Sequence, residues 1–593
     1  MSHPPKHNIA ALRRLMAEKN LAAYVIPATD PHMSEYLPEH WRTLHWASGF
    51  SGSAGTLVVT ADFAGLWTDS RYFVQAEQQL AGSGIELVRL VTPHTAEFID
   101  WLIDTLSEGD TVGLDGRLLS RAWFQLLETG VRPYGIRIDA QADLVAPLWS
   151  GRPPLPAEPV YEHEAKYAGA GRREKLARVR AALAEKKAGY TLLSTLDDIA
   201  WLLNLRGRDV PYNPLFVAHA VVGPREAVLF IDPAKMPEDI SRKLRRDGIQ
   251  VQPYAAVSEY LSRLPARAVM LIDPKRISQN LPGALPETAK LIEGVNVTTR
   301  LKACKNAKEV AHTRAAMVRD GVALAKFFYW LSKTVRQQPL TELDAQAKIQ
   351  ALRLEQPGCI GESFGPISAY GPHAALPHYS ATPESNAEIR PEGLYLLDSG
   401  GQYLGGTTDT TRVISLGKIT DEERRDYTLV LRGMIALSRM RFPKGTRGYQ
   451  LDAFAREAMW LRGVNYGHGT GHGVGYFLNV HEGPQSISPA AVETPLQPGM
   501  ITSNEPGIYR VGKHGVRIEN LILCVESEKT EFGEFLAFET LTLAPIFTNL
   551  VEKKLLSREE LSWLRAYNRQ VLRKIGRFLT AEEKEWVSAE TRI

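Results

Sequence analysis

Cysteine is nearly absent: Cys304, Cys359 and Cys524 are the three thiols in 593 residues, an odd number, widely spaced and without a C-x-x-C pair. This excludes a disulfide framework and a zinc knuckle, and leaves buried free thiols as the reading. No stretch approaches the roughly eighteen uncharged apolar residues of a membrane span, and the opening MSHPPKHNIAALRRLMAEK has no apolar core of signal-peptide length. The expectation is therefore an intracellular, cytoplasmic protein with no membrane partner. A dominant charge is also missing, because 70 basic residues nearly cancel 67 acidic ones to give a net +3. With no long basic run, nucleic acid is not an expected partner.

What is present is an ordinary globular composition, 44% hydrophobic and 23% charged, on a chain too long for one core. A faint internal repeat organises the first half. LRRLMAEKNLAAYVIP (12–27) and VRAALAEKKAGYTLLS (179–194) both read as an amphipathic helix followed by an apolar strand. GTLVVTADFAGLWTD (55–69) and AHAVVGPREAVLFID (218–232) both read as strand, turn, strand. Two related α/β modules are expected, joined by LWSGRPPLPAEPVYEHEAKYAG (148–169), whose four prolines suit an extended linker. Boundaries near 160 and 300 divide the chain into 1–160, 161–300 and 301–593. The last part is rich in Gly, Pro, His and acidic residues set among strands, so it should hold the chemistry.

Its clearest segment is GLYLLDSGGQYLGGTTDTTRVISL (393–416), two apolar β-branched runs about a Gly-rich middle, which signals a hairpin. Asp398 and Asp409 lie symmetrically about the point between Tyr403 and Leu404, so antiparallel pairing would set the two carboxylates side by side. Like charges so placed are destabilising, and a cation between them would remove the objection. A second acidic pair follows in MITSNEPGIYRVGKHGVRIENLILCVE. Glu505 ends a strand-like run before Pro-Gly, and Glu519 lies within GVRIENLILCV, a second strand on which Arg517, Glu519 and Leu521 share a face. A carboxylate there needs either an ion-pair partner, for which Arg517 is placed, or a metal.

GHGTGHGVGYFLNVHEG (467–483) gathers His468, His472 and His481 where glycine lets other groups approach the backbone. It is not a nucleotide loop: G-x-G-x-x-G counted from Gly469 would need glycine where Val474 stands, and counted from Gly467 where His472 stands. Four carboxylates and an imidazole form a hard, oxygen-dominated set suited to two divalent ions such as manganese, iron or cobalt. A zinc finger lacks its thiolates here, and no H-E-x-x-H is present.

The order Asp398, Asp409, His472, Glu505, Glu519, within DSGGQYLGGTTDTTR, GTGHGVG, SNEPG and GVRIEN, resembles the five-ligand site of the pita-bread metallopeptidases. His378 of PHYS and His481 of NVHEGP match the two further histidines of the proline-specific members, the aminopeptidase P and prolidase group. GFSGSAGTLVVTADFAGLWTDSRYFVQAE, LWSGRPPLP and NLRGRDVPYNPLF resemble the three-domain, cytosolic-type aminopeptidases P. Prolidases and the shorter bacterial aminopeptidases P have one N-terminal module, which the duplication disfavours. The implied fold is α/β (α+β), two related N-terminal modules followed by a C-terminal pita-bread catalytic domain with a helical tail. Capping-box patterns at Ser557 with Glu560 and at Thr580 with Glu583 open the helices of that tail.

The resemblance implies an Xaa-Pro aminopeptidase using two divalent ions, manganese first, with cobalt, iron or zinc as alternatives. Asp409 and Glu519 would bridge them, Asp398 would hold one, and His472 with Glu505 the other. Glu505 would also move protons between water and the leaving proline nitrogen. His481 would steady the substrate carbonyl, while His378 and His468, with Phe364 and Tyr509, would wall the proline pocket. Arg517 would orient its carboxylate neighbours. Implied partners are peptides with a penultimate proline and a second copy in a homodimer. The alternatives are an Xaa-Pro dipeptidase, or a silent binding module that would leave five intact ligand positions unexplained.

Overall fold

The computed structural model describes residues 4–92 and 95–593. The chain divides into two compact units, one of Met1–Glu162 with Ala170–Thr298, the other of His163–Gly169 with Thr299–Ile593.

In the first unit, helix α1 (Pro5–Glu18) leads into β1 (Ala23–Pro27), followed by β2 (Thr56–Thr60), β3 (Ala64–Thr68), β4 (Glu86–Arg89), β5 (Thr111–Leu114) and β6 (Arg137–Asp139). Helix α2 (Arg172–Glu185) leads in the same way into β7 (Tyr190–Leu193), β8 (His219–Val222), β9 (Ala227–Phe230), β10 (Ile249–Gln252), β11 (Val269–Ile272) and β12 (Lys290–Glu293). The sheets run 4-3-2-1-5-6 and 10-9-8-7-11-12, one order used twice. In each sheet the leading strand pairs antiparallel with the next strand in sequence and parallel with the fifth. The expected repeat is thus a repeat of topology. Central β1 is buried along its whole length, which is why it reads as an unbroken apolar run.

The second unit opens with the 28-residue helix α3 (Ala307–Thr334), whose N-terminus is closed by a capping box of Asn306 and Glu309. Then come α4 (Glu342–Leu354), β13 (Ile367–Tyr370), β14 (Leu394–Ser399), β15 (Thr410–Ser415), α5 (Asp421–Ser438), β16 (Arg441–Pro443) and α6 (Tyr449–Trp460). After them lie β17 (Gly471–Gly473), β18 (Glu482–Ile487), β19 (Ile501–Asn504), β20 (Gly507–Arg510), β21 (His514–Arg517), β22 (Asn520–Thr530) and β23 (Gly533–Thr540). Strands 13-14-15 form one sheet, 16-23-22-19-17-18 a second, and 20-21 a third. Phe327 and Phe328 of α3 pack with Tyr395 and Leu397 of β14 and with Phe547 in one continuous core. The tail helices α7 (Arg558–Ile575) and α8 (Ala581–Glu590) both carry the expected capping boxes.

Two expectations are corrected. Cys524 is buried, but Cys304 and Cys359 are only partly covered. The end of the proline-rich linker, His163–Gly169, packs into the second unit, where the His163 imidazole bonds the Leu404 carbonyl at 2.9 Å and Tyr476 donates to the Tyr167 carbonyl at 3.0 Å. The prolines set an extended chain, and the aromatic and imidazole groups that follow them anchor it. No helix among the described residues is long and apolar enough to cross a membrane.

Candidate metal centre

The hairpin forms, in a register two residues away from the symmetric one. Asp398 faces Thr411, and Leu394 faces Ser415, because the chain turns about Leu404 and Gly405. Asp409 lies just before β15, so the two carboxylates are diagonal neighbours and not directly opposed. A shift of two leaves every side chain on its original face, so both acids still point the same way.

The second acidic pair is placed by an interruption that the sequence reading missed. GVRIENLILCV is two strands: β21 pairs with β20, and β22 with β19. Asn504 faces Asn520 on one side of the break, and Gly507 faces Arg517 on the other. Glu505 and Glu519 occupy the gap opposite each other, where both chains leave one sheet for another, and Pro506 beside them has no N–H to give a ladder.

β17 delivers His472 to the same place. Two glycines make this approach feasible: a Cβ on Gly471 would collide with the Ser503 carbonyl oxygen, and one on Gly473 would lie 2.6 Å from that of Glu482. The His472 Nδ1–H is directed at its neighbour's carbonyl, Gly473 O, at 3.0 Å. Nε2 is then the face turned to Asp409 and Glu505, 3.4 Å from an oxygen of each. His481 stacks edge-on against it with ring centroids 4.3 Å apart.

Among the described residues, three overlapping groups have ligand atoms within 4.8 Å of one another: Asp398, Asp409 and Glu519; His472, Glu505 and Glu519; and Asp409, His472 and His481. Asp409, Glu519 and His472 each occur in two of them. The protein alone satisfies this cluster poorly. Asp398 Oδ1 and Glu519 Oε1 are buried with no hydrogen-bond partner. Burial raises the Asp398 carboxyl above its ordinary range despite the Arg517 charge, with Asp409 adding to the rise. Burial, then Asp409 and Asp398, push Glu519 well up. Glu505 is raised to about 7 by burial, against the pull of His472 and Arg517. His472 rises to about 9, because Asp409 and Glu505 outweigh the burial that opposes its charge. Such groups hold protons unless cations replace them, and oxygen-rich donors with one imidazole suit hard divalent ions.

Arg517 makes its ion pair with Asp398, at 2.6 Å, and not with Glu519, the partner expected from a single continuous strand. Its other nitrogens donate to Tyr509 Oη at 2.7 Å and to Thr411 Oγ1 at 3.2 Å. The Tyr509 hydroxyl, already accepting from Arg517, can donate to His468 Nε2 at 2.7 Å, and the other ring nitrogen of His468 faces the Gly469 carbonyl. His468, Tyr509, Arg517 and Asp398 thus form one chain of contacts. His378 is half-buried in the turn beyond Pro377, whose carbonyl lies 3.4 Å from the Arg517 guanidinium. Phe364 is buried beside Ser363, which donates to the Thr408 carbonyl at 2.7 Å, next to Asp409.

Two positioning residues escaped the sequence reading. Thr411 donates to Glu519 at 2.8 Å while accepting from Arg517. Ser503 accepts from the His472 backbone N–H at 2.9 Å and donates to Glu505 at 3.1 Å. The only available signal was their spacing, two residues from Asp409 and from Glu505, which period two places on the same face.

The comparisons agree with this architecture. The family model described as metallopeptidase family M24 matches residues 311–526, and the C-terminal region of peptidase M24 matches 534–593. Creatinase/prolidase N-terminal domain models match 8–140 and 151–309. A probable Xaa-Pro aminopeptidase P of Paracoccidioides brasiliensis is 39% identical, covering 98% of each chain. One from Neurospora crassa is 40% identical over 98% of this chain and 88% of its own. The crystal structure of the X-prolyl aminopeptidase from Caenorhabditis elegans, described as a cytosolic enzyme with a di-nuclear active site, superposes with a TM-score of 0.94 at 35% identity over 99% of both chains. The Xaa-Pro dipeptidase of Bacillus anthracis, at 23% identity and a TM-score of 0.50 over 63% of this chain, shares the fold. The chain belongs to metallopeptidase family M24, among the Xaa-Pro aminopeptidases P.

Proposed function

We propose that this chain releases the N-terminal residue from peptides whose second residue is proline, using two divalent metal ions held by Asp398, Asp409, His472, Glu505 and Glu519. The observation that carries the proposal is the overlap of the three ligand groups through Asp409, Glu519 and His472, of which only the two carboxylates have a second oxygen with which they would bridge two ions. Asp398 completes one position, and His472 with Glu505 the other. When bound, the ions would acidify a water and polarise the scissile carbonyl.

Glu505 would accept a proton from the water and return it to the proline nitrogen as the bond breaks. His481 would donate to the developing oxyanion. His378, His468, Phe364 and Tyr509 would enclose the pyrrolidine, an apolar ring of fixed shape. Arg517 holds Asp398 and, through Thr411, Glu519, so its role is to orient ligands. We also propose manganese as the ion, a cytoplasmic location, a homodimer, and domain boundaries near residues 160 and 300. The C. elegans enzyme, described as cytosolic, supports the location.

The test is hydrolysis of Arg-Pro-Pro by metal-stripped protein with and without Mn²⁺, alongside the dipeptide Arg-Pro. Metal-dependent release of arginine from the tripeptide is expected. Cleavage of the dipeptide alone would make the chain a dipeptidase, and no cleavage with any divalent ion would favour the silent binding module.

A further inference from the structure

Beside the metal centre, two lysines converge on one glutamate. Lys302 Nζ meets Glu482 Oε2 at 2.6 Å, and Lys305 Nζ takes Oε1 of the same carboxylate. The three side chains are at most 1% exposed. Burying charge this deeply is costly, and one lysine suffices to neutralise one carboxylate. The second lysine does something else: with each oxygen held by its own ammonium, the Glu482 side chain has no rotation left.

Glu482 is covalently adjacent to His481. It opens β18 directly opposite Gly473 of β17, next to His472. On the other side of His481, Val480 is fully buried. His481 lies in the bend between these two buried side chains, with its ring against that of His472. His481 is thus held between an apolar anchor and an ionic one. Gly483 follows and has no side chain with which to add a third. The lysines come from a segment that is itself tied down: Lys305 N–H donates to the Gly499 carbonyl at 2.9 Å, and Cys304 bridges to Met500.

We infer that Lys302 and Lys305, acting through Glu482, are positioning residues that set the His481 imidazole for its work on the substrate carbonyl. The inference rests on the aminopeptidase reading of the site. His481 serves the transition state, so loosening it lowers kcat and leaves KM nearly unchanged. Removing one lysine leaves a neutral ion pair, so the fold should survive.

The experiment measures kcat and KM on Arg-Pro-Pro for the Mn²⁺-loaded full chain carrying Lys302→Met, Lys302→Arg or Glu482→Asp, each also combined with His481→Ala. The expected loss in kcat for Lys302→Met is roughly 10- to 100-fold, the range for groups that orient a functional side chain. KM should stay within about twofold, with partial rescue in Lys302→Arg and no further loss when His481 is already alanine. Glu482→Asp keeps all charges and retracts the carboxylate by one methylene, so it tests the same point should Lys302→Met not fold. Full kcat in Lys302→Met and Glu482→Asp while His481→Ala is impaired would overturn the inference alone. Losses that multiply in the His481→Ala background would do the same. An inactive parent would overturn the aminopeptidase reading and this inference with it.

Discussion

The two sides of one strand, β15, treat buried polar groups in opposite ways. Arg412 is 1% exposed, and its guanidinium is fully engaged. It donates to the carbonyls of Thr411, Glu519, Ala544 and Pro545, to Asn520 Oδ1 and to the Tyr567 hydroxyl of helix α7. Its neighbour Thr411 faces acids that are also buried, yet there Asp398 Oδ1 and Glu519 Oε1 have no partner. Satisfied polarity on one side ties the strand to the tail helix and makes the scaffold rigid. Unsatisfied polarity on the other is what the proposed cations would satisfy. Within a few ångströms the same chain separates stability from function.

That contrast can be broken most sharply at Asp409. Asp409→Asn should lower kcat/KM on Arg-Pro-Pro by on the order of a thousandfold, roughly 4 kcal/mol of transition-state stabilisation. The metal-free variant should be no less stable than the parent in urea, because a like charge has been removed from the cluster. On the opposite side, Arg412→Met should cost about 3–5 kcal/mol in the same urea measurement, with or without metal, since several buried acceptors lose their donor. A metal-dependent cost would place Arg412 with the site instead of the scaffold.

Thr411→Val sharpens the comparison, because the residue touches Glu519 and Arg517 and keeps its volume. Activity should fall roughly 10- to 100-fold with little change in urea midpoint. The smallest effect is one of pH. Glu505 lies near 7 in the folded protein against 4.5 ordinarily, and His472 near 9 against 6.5. Both folded pKa values are raised, so the folded state binds protons more tightly than the unfolded chain. Metal-free protein should therefore lose stability as pH rises from about 4.5 through 9, with the Glu505 contribution lost between about 4.5 and 7. Melting curves at pH 5, 7 and 9 should show a shallower decline for Glu505→Gln. Parallel curves for the two proteins would contradict the raised carboxyl.

The contrast also explains what could be read from the sequence. The repeated α/β modules were legible because α1 with β1, and α2 with β7, carry helix and strand periodicities that need no tertiary information. The proposed ligands stood out because acids and imidazoles beside glycines inside apolar strands conflict with local preference, and such conflicts mark function. The hairpin register was not, since symmetry about Tyr403 and Leu404 ignores that the chain turns one residue later, at Leu404 and Gly405. Nor was the break at Ile518 and Glu519, because period two continues across it while the hydrogen-bonding partners change. Thr411, Ser503 and the Lys302–Glu482–Lys305 clamp act only through contacts made by folding. The anchoring of His163–Gly169 likewise depends on carbonyls and side chains more than a hundred residues away.

The central claim is that the unsatisfied acids are the seat of two divalent ions. It is tested most directly by titrating metal-stripped protein with Mn²⁺ in a calorimeter and following the melting temperature of the same samples. The account predicts two ions per chain, a melting temperature that rises with metal concentration, and loss of the two-ion stoichiometry in Asp409→Asn. Binding of fewer than two ions by the parent, or a melting temperature indifferent to metal, would contradict it.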